Sequence, residues 1–219
     1  MQRIPEPELM DDAEQALAYA LADFSEPHNH FVELFKQSLT DDKLEGCILD
    51  LGCGPGDICL RMVHAFPAIR ILGIDGASAM LALGREAIVN HGMEDRIELM
   101  ETYLPGDLPR QNYAAVISNS LLHHLHDPLV LWRSIKSVAQ PGTKIFIMDL
   151  MRPQSPAQAK NYVGLYAAGE PEILRHDFYH SLLAAYTAEE VEQQLVEENI
   201  TGLQVKAVSD RHLIVVGEW

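Results

Sequence analysis

Three glycines at alternate positions, directly after an aliphatic run, constrain the fold more than any other feature of the sequence. The motif is ILDLGCGPGDI, in which the aliphatic run contains Asp50 near its end. Its glycines are Gly52, Gly54 and Gly56. Because glycine lacks a Cβ, such a loop can turn tightly and bring its backbone close to a ligand. A helix that begins near Asp57 would present its first N–H groups at the same place. The pattern therefore predicts a strand, a ligand-binding loop and a helix in succession.

Short aliphatic runs alternate with helical stretches between residues 46 and 150, which is typical of βαβ units and a parallel sheet. Strands are predicted at Cys47–Leu51, Arg70–Asp75, Arg96–Met100, Ala115–Asn119 and Lys144–Asp149. Helices are predicted near Asp57–Ala65, Ser78–Asn90 and Pro128–Ala139. The expected fold class is therefore α/β, with helices on both faces of the sheet.

The segments on either side of this region are less regular. Two N-terminal helices are predicted near Asp11–Asp23 and His28–Leu39, with Ser25-Glu26-Pro27 interpreted as the turn between them. After the fifth strand a helix is predicted near Ala157–Ala168. The following stretch, RHDFYHSLLAAY, mixes charged, aromatic and apolar residues. We interpret residues 151–186 as an inserted cover over one edge of the sheet.

The C-terminal segment has a clearer pattern. Thr187 and Glu190 form the TxxE pattern of a capping box, which predicts an amphipathic helix that ends near Glu198. Two strand-like runs follow, Leu203–Ser209 and His212–Glu218. The link between them is too short for a parallel crossover, so we expect an antiparallel pair.

One domain is predicted for residues 1–219, since the length and the 47% hydrophobic composition suffice for a continuous core. Its expected parts are an N-terminal helical cap (1–43), a ligand-binding core (44–150), a substrate-side cover (151–186), and a final helix and hairpin (187–219).

The charge and composition of the chain limit which kinds of binding partner we expect. A formal net charge of −16 repels phosphate backbones and anionic lipid, so we expect neither nucleic acid nor a membrane as partner. No apolar run approaches the ~18 residues of a membrane span, and the first residues lack a targeting pattern. We therefore expect a cytoplasmic protein. The sequence leaves its oligomeric state open.

The three cysteines are evenly spaced, at Cys47, Cys53 and Cys59. No CxxC pair and no neighbouring histidine accompanies them, as a metal site of this kind would require. We expect small, buried, reduced thiols and no metal site.

The glycine motif resembles that of class I S-adenosylmethionine-dependent methyltransferases, which is an acid followed by xGxGxG. Asp50-Leu51-Gly52-Cys53-Gly54-Pro55-Gly56 matches it in full. The resemblance implies S-adenosylmethionine as cofactor and a Rossmann-like, seven-stranded, mostly parallel sheet with an antiparallel C-terminal hairpin. It also implies that the loop wraps the methionine part of the cofactor, with Asp50 anchoring the loop or the ammonium group.

The resemblance continues at the ends of the following strands. Asp75, at the end of strand two, matches the acid that accepts hydrogen bonds from both ribose hydroxyls. Residues implied to line the adenine are Gly76, Ala77 and Met80. Either Glu101 or Thr102 is implied near the adenine amine. At the end of strand four, Ser118 and Asn119 are implied near cofactor and substrate, although Ala114 or Ala115 replaces the acid that the family usually has at the start of that strand.

Candidate catalytic residues follow strand four directly. Methyl transfer requires mainly alignment and exclusion of water, so no catalytic side chain is obligatory. His123 and His124 are candidates for a base or an orienting group, because imidazole titrates near neutral pH. As chain neighbours they are expected to point in different directions, and a purely structural role for each stays open.

Candidate substrate-binding residues lie in the cover and in the N-terminal helices. Arg175, His176, Tyr179 and His180 combine a cation with titratable and aromatic groups, which is one way to bind a carboxylate. Tyr19 and His28 are weaker candidates, based on the family's habit of closing N-terminal helices over the cofactor.

The function indicated is methyl transfer from S-adenosylmethionine to O, N or S of a small-molecule or peptide-sized acceptor. Two alternatives stay open: carboxylate O-methylation at a peptide C-terminus, and a non-catalytic S-adenosylmethionine-binding regulatory protein. A nicotinamide-dependent oxidoreductase is disfavoured, because its GxGxxG fingerprint needs a glycine where this chain has Asp57.

Overall fold

The computed structural model describes residues 1–6, 12–40 and 43–219, which contain one seven-stranded sheet. The strands are β1 (Gly46–Leu51), β2 (Ile69–Asp75), β3 (Ile97–Glu101), β4 (Tyr113–Asn119), β5 (Lys144–Leu150), β6 (Leu203–Ala207) and β7 (His212–Glu218). Their order is β3-β2-β1-β4-β5-β7-β6. The first five strands pair in parallel, and β7 pairs antiparallel with both β5 and β6. The predicted fold class and the antiparallel hairpin are confirmed.

Helices connect and flank these strands. They are α1 (Ala13–Leu21), α2 (Ser25–Ser38), α3 (Asp57–Ala65), α4 (Ser78–Asn90), α5 (Leu129–Val138), α6 (Pro156–Tyr166), α7 (Glu172–Ala184) and α8 (Ala188–Glu197). Helices α3 and α4 begin and end at the predicted residues. The capping box of α8 is also present, with Thr187 and Glu190 each bonding to the other's backbone N–H. No helix in the described part of the chain is long and apolar enough to cross a membrane.

Alternating side chains divide the core into two layers, one on each face of the sheet. Ile48 of β1 packs with Phe31 of α2 and Met62 of α3, whereas the next residue, Leu49, packs with Trp132 of α5 on the opposite face. Neighbouring residues of a strand point to opposite faces, and a sheet covered on both sides needs apolar residues at both. This explains why the central strands are almost continuously apolar.

The topology determines where a ligand can bind. Strand β1 lies between β2 and β4, so the connections after β1 and after β4 lead away in opposite directions along the sheet. Open α/β sheets bind ligands beyond the carboxyl ends of the strands at such a switch point. The glycine loop after β1 lies there.

The N-terminal turn prediction was wrong. Ser25-Glu26-Pro27 forms the first turn of α2, and the Asp23 side chain accepts a hydrogen bond from the Ser25 backbone N–H at 2.9 Å. Proline is tolerated in a first helical turn because the missing N–H would have had no partner within the helix. Helix α1 ends at Leu21, and its predicted start at Asp11 lies outside the described residues.

The segment 151–186 is more regular than its sequence indicated. RHDFYHSLLAAY lies mostly within α7, which packs against α6 through Leu182 and Leu183. Helix α2 is likewise more than a cap, since its Phe31 and Phe35 rings make edge-on contacts with Phe146 of β5. Both segments are therefore parts of the packed molecule.

Candidate functional site

The loop after β1 has a backbone that only glycine adopts easily. Gly52, Gly54 and Gly56 have φ values of +72°, +52° and +78°. A Cβ on Gly52 would lie 2.9 Å from a methyl carbon of Leu121, whereas a Cβ on Gly54 would meet nothing within 4 Å. Gly56 caps the N-terminus of α3. The backbone at Gly54 therefore faces open space, as a loop that approaches a ligand requires.

Asp75 joins this loop to the next one. Its Oδ2 atom accepts a hydrogen bond from the Gly54 N–H, and its Oδ1 atom accepts one from the Ala77 N–H, both at 2.8 Å. The helix cap of α4 is Ala77 rather than Asp75. One carboxylate at the cleft thus holds both loops.

Asp50 is buried beneath the glycine loop and is only 1% exposed. Its Oδ2 atom contacts the Cys59 Sγ atom at 3.2 Å, and burial raises the pKa of Asp50 to about 7. All three cysteines are free thiols; Cys53 and Cys59 are buried as expected, whereas Cys47 is only half-buried. Asp50 and the two buried cysteines lie together under the loop.

A cleft of about 790 Å³ opens at this edge of the sheet. Predicted cofactor residues that line it are Asp50, Gly52, Cys53, Gly54, Pro55, Asp75, Gly76, Ala77, Met80, Thr102 and Asn119. Gly56, Glu101 and Ser118 do not line it. Glu101 is exposed, and the buried Ser118 hydroxyl donates to the Leu51 carbonyl at 2.7 Å. Thr102 is therefore the better placed of the two candidates after β3, and Ser118 holds β4 to β1.

The N-terminal helices line one side of the cleft. Tyr19 of α1 and His28 of α2 both face it. His28 Nδ1 lies 2.5 Å from Asp57 Oδ2, and Arg61 bonds to the same oxygen at 2.7 Å. Burial would raise the pKa of Asp57, but these two partners outweigh it and lower that pKa. The acid that replaces the third glycine of a dinucleotide fingerprint thus stays ionised at the start of α3.

His123 and His124 both line the cleft as well. They lie in a 3₁₀ turn, Leu122–His124, with ring centroids 4.3 Å apart and an interplanar angle of 34°. The expectation that they point in different directions was wrong. Asp149 orients His123, because its Oδ1 atom lies 2.6 Å from His123 Nδ1. Burial lowers the pKa of His123, but the Asp149 and Glu6 carboxylates outweigh it, and the net shift is upward.

Glu6 is the residue that sequence reasoning missed. Its Oε1 atom lies 3.5 Å from His123 Nε2 and 3.5 Å from His124 Nδ1. Its Oε2 atom accepts a hydrogen bond from Ser181 at 3.3 Å. Glu6 lies between Pro5 and Pro7 in the sequence, and a residue before proline is driven toward extended backbone. That is the one sequence signal for an extended N-terminal segment.

Arg3 fixes this segment against the site. Its guanidinium donates to the carbonyls of Ala184, His123 and Leu125, and it lies over the Tyr186 ring at 4.1 Å. A guanidinium carries five N–H donors in one plane, so it can bond to several carbonyls at once. Residues 1–6 are thereby tied to the histidine turn.

Helix α7 presents different residues to the cleft from those expected. Arg175, His176, Tyr179 and His180 do not line it. Lining residues of α7 are Leu174, Asp177, Phe178 and Ser181, at helical spacing. Consecutive residues of a helix point to different sides, so only one face of the predicted cluster can reach the site. Asp177 also accepts a hydrogen bond from Gln15 of α1 at 2.8 Å, which joins the two helices that border the cleft.

The cleft carries excess negative charge. Asp57, Asp75 and Asp177 line it, and Glu6 lies beside it. Its arginines already have carboxylate partners: Arg61 bonds to Asp57 at 2.7 Å, and Arg211 lies 3.2 Å from Asp210. The site therefore favours neutral or cationic ligands over anionic ones.

Comparisons with known proteins point to one family. Residues 48–142 match a family model described as "Methyltransferase domain". The trans-aconitate 2-methyltransferase of Escherichia fergusonii is 32% identical over 94 residues, which span 43% of this chain but only 35% of that protein.

Solved structures share the fold across nearly the whole chain. The "putative s-adenosyl-l-methionine-dependent methyltransferase" of Methanococcus maripaludis superposes with a TM-score of 0.72 at 16% identity, covering 98% of this chain and 97% of that one. The plantazolicin methyltransferase, solved in complex with SAH, gives a TM-score of 0.69 at 13% identity, covering 95% and 91%.

Proposed function

We propose that this chain is a class I S-adenosylmethionine-dependent methyltransferase, which transfers a methyl group from S-adenosylmethionine to O, N or S of a small-molecule acceptor. The observation that supports this best is the arrangement of the cleft. The glycine loop, Asp75 and the histidine turn all line this one cleft. A volume of about 790 Å³ is within the usual range for small-molecule sites.

The glycine loop and Asp75 suit this cofactor. The open position beside Gly54 admits a ligand against the backbone, and Asp75 lines the same cleft with a carboxylate, which is the kind of group that accepts hydrogen bonds from ribose hydroxyls. Ala77, Met80 and Thr102 border the adenine in this proposal. Bound S-adenosylmethionine supplies a methyl group that is activated by a positively charged sulfonium. The negative charge of Asp57 and Asp75 favours such a cation and disfavours a pyrophosphate.

The histidine turn and the flanking segments receive the acceptor. In this proposal, residues 44–150 bind the cofactor, and the segments 1–43 and 151–186 enclose the acceptor. His123 and His124 contact its heteroatom and orient it, with Asp149 fixing the His123 ring. Phe178 and Leu174 of α7 add apolar surface that excludes water. Asp177 binds a cationic or hydrogen-bonding part of the acceptor.

A carboxylate acceptor fits less well. Arg175, which we expected to bind one, lies away from the cleft, and both cleft arginines are already paired. A carboxylate would instead face the acids of the site. We therefore favour phenolic, amine or thiol acceptors over a peptide C-terminus.

Methyl transfer to a defined panel of small-molecule acceptors tests the proposal. The protein is incubated with methyl-labelled S-adenosylmethionine and small phenols, amines, thiols and carboxylic acids, and transfer of label is measured. We expect turnover with at least one of the first three classes, and a loss of turnover in Asp177→Asn if that acceptor is cationic. Turnover confined to carboxylic acids would reverse the preference. Cofactor binding without turnover on any class would favour the non-catalytic alternative.

A further inference from the structure

Three side chains from two distant parts of the chain bring potential metal-ligating atoms together beside the cleft. They are Glu6, His123 and His124, and one ligand atom of each lies within 4.8 Å of the others. The cysteine spacing had given no reason to expect a metal site. We propose that these residues bind a first-row divalent cation of the Zn²⁺ or Fe²⁺ type, whose open coordination positions face the cleft.

The distances fit a shared cation better than direct hydrogen bonds. Glu6 Oε1 lies 3.5 Å from both His123 Nε2 and His124 Nδ1, which is beyond the usual length of a hydrogen bond. Two ligands of one tetrahedral cation lie about 3.3–3.4 Å apart when each is about 2.0–2.1 Å from the metal. The carboxylate oxygen is thus already at the correct separation from each imidazole.

Glu6 Oε1 also needs a partner. It is buried and, among the described residues, it has no hydrogen-bond donor, whereas the other oxygen of the same carboxylate is bonded to Ser181. Leaving a buried polar atom unpaired costs free energy, and leaving a charged one unpaired costs more. A cation between Glu6 and the two imidazoles would satisfy this atom.

Asp149 supports one of the proposed ligands, His123, at its other ring nitrogen. Asp149 Oδ1 lies 2.6 Å from His123 Nδ1, and the Asp149 carboxylate is itself fixed by the backbone N–H groups of Leu122 and Leu150, both at 2.7 Å. A histidine ligand usually donates its second ring N–H to a carboxylate in this way, which leaves the other nitrogen free to bind the metal. The Asp149 contact thus directs the Nε2 lone pair of His123 toward Glu6.

The ligand set indicates the kind of cation. Two imidazoles and one carboxylate are typical of zinc and non-haem iron, whereas Mg²⁺ and Ca²⁺ prefer oxygen ligands throughout. Three protein ligands leave at least one coordination position open, and both histidines line the cleft. Coordination of an acceptor hydroxyl, thiol or amine there rests on the proposed function, whereas binding of the cation itself does not.

Metal titration of the full, untagged chain tests the site without cofactor or acceptor. After dialysis against a chelator, Zn²⁺ affinity is measured by competition with a chromophoric chelator, and Co²⁺ binding by its visible absorption. We expect one equivalent of Zn²⁺ to bind, with no displacement by excess Mg²⁺. Affinity should fall at least tenfold in Glu6→Gln and in His124→Ala. Glu6→Gln keeps the size of the side chain and its contact with Ser181, so folding should survive.

His176→Ala is the matched control, because His176 is an exposed histidine of α7 with a side chain 68% accessible. It should bind Zn²⁺ as the unmodified chain does, and Co²⁺ absorption should be lost only in the Glu6 and His124 variants. The absence of stoichiometric Zn²⁺ binding would overturn the proposal. So would equal affinities in Glu6→Gln, His124→Ala and His176→Ala, which would indicate only weak attraction to an acidic surface.

Discussion

Asp50 and Asp75 end two neighbouring strands, yet their carboxylates have different surroundings. Asp75 accepts two backbone N–H bonds and lines the cleft. Asp50 is buried under the loop against the Cys59 thiol, and burial raises its pKa to about 7. The first acid thus joins two loops beside the cleft, whereas the second is held partly neutral.

The raised pKa of Asp50 predicts a pH-dependent stability. The folded chain keeps this proton up to about pH 7, whereas the unfolded chain loses it near its ordinary pKa of 3.8. Asp50 therefore contributes most stability at low pH, and the free energy of unfolding falls by about 1.4 kcal/mol per pH unit between about pH 4 and pH 7. Asp50→Asn does not titrate and lacks this loss.

Denaturant unfolding at pH 5, 6, 7 and 8 checks the prediction. The stability of Asp50→Asn relative to the unmodified chain should rise between pH 5 and 7 and level off above. Asp107→Asn, at an exposed position, should show no such trend. A difference between Asp50→Asn and the unmodified chain that is constant across the series would mean that Asp50 is ionised in the folded state throughout.

Single residues differ in how far sequence alone could place them. Gly54 and Asp75 were identifiable because their roles depend on local backbone chemistry next to a strand end. The direction of His123 and His124 was not, since it depends on a short 3₁₀ turn and on Asp149 of the next strand. Glu6 could not be found at all, because its contact with the histidines joins segments far apart in the chain.

Elements with strong local signals were predicted almost to the residue. Helix α8 begins after Thr187, whose hydroxyl accepts the Glu190 N–H while Glu190 accepts the Thr187 N–H. Helix α7 lacks such a cap, as Pro171 precedes it without a side-chain bond. Packing of its apolar residues on α6 and the cleft decides its structure, and such tertiary effects override weak local patterns.

The cap of α8 gives a stability prediction at the scale of one element. Thr187→Ala removes one acceptor from the first turn and one half of the reciprocal pair with Glu190. The free energy of unfolding, measured by urea denaturation, should fall by about 0.5–2 kcal/mol. Thr201→Ala, in the exposed loop after α8, is the matched control and should change it by less than about 0.5 kcal/mol. Equal losses in both variants would show that the cap contributes nothing specific.

At the scale of the whole molecule, the sheet order and the acidic charge act together. The order β3-β2-β1-β4-β5-β7-β6 places the ends of β1, β2 and β4 along one cleft. The net charge of −16 made nucleic acid an unexpected partner on the average charge of the chain alone. The cleft itself is also lined by acids, and its arginines are paired with carboxylates. The fold followed from the βαβ pattern. The shape of the cleft around the histidine turn could not be predicted from that pattern, because α1, α7 and residues 1–6 meet there only after folding.

Calorimetric titration with S-adenosylhomocysteine, and separately with NAD⁺, measures which class of ligand this cleft binds. We predict one S-adenosylhomocysteine site per chain, no NAD⁺ binding, and an affinity weakened by about 1.5–3 kcal/mol in Asp75→Asn, which corresponds to about 10-fold to 160-fold. The exposed control Asp107→Asn should bind as the unmodified chain does. Binding of NAD⁺ without S-adenosylhomocysteine, or an Asp75→Asn variant with unchanged affinity, would contradict the assignment of this cleft.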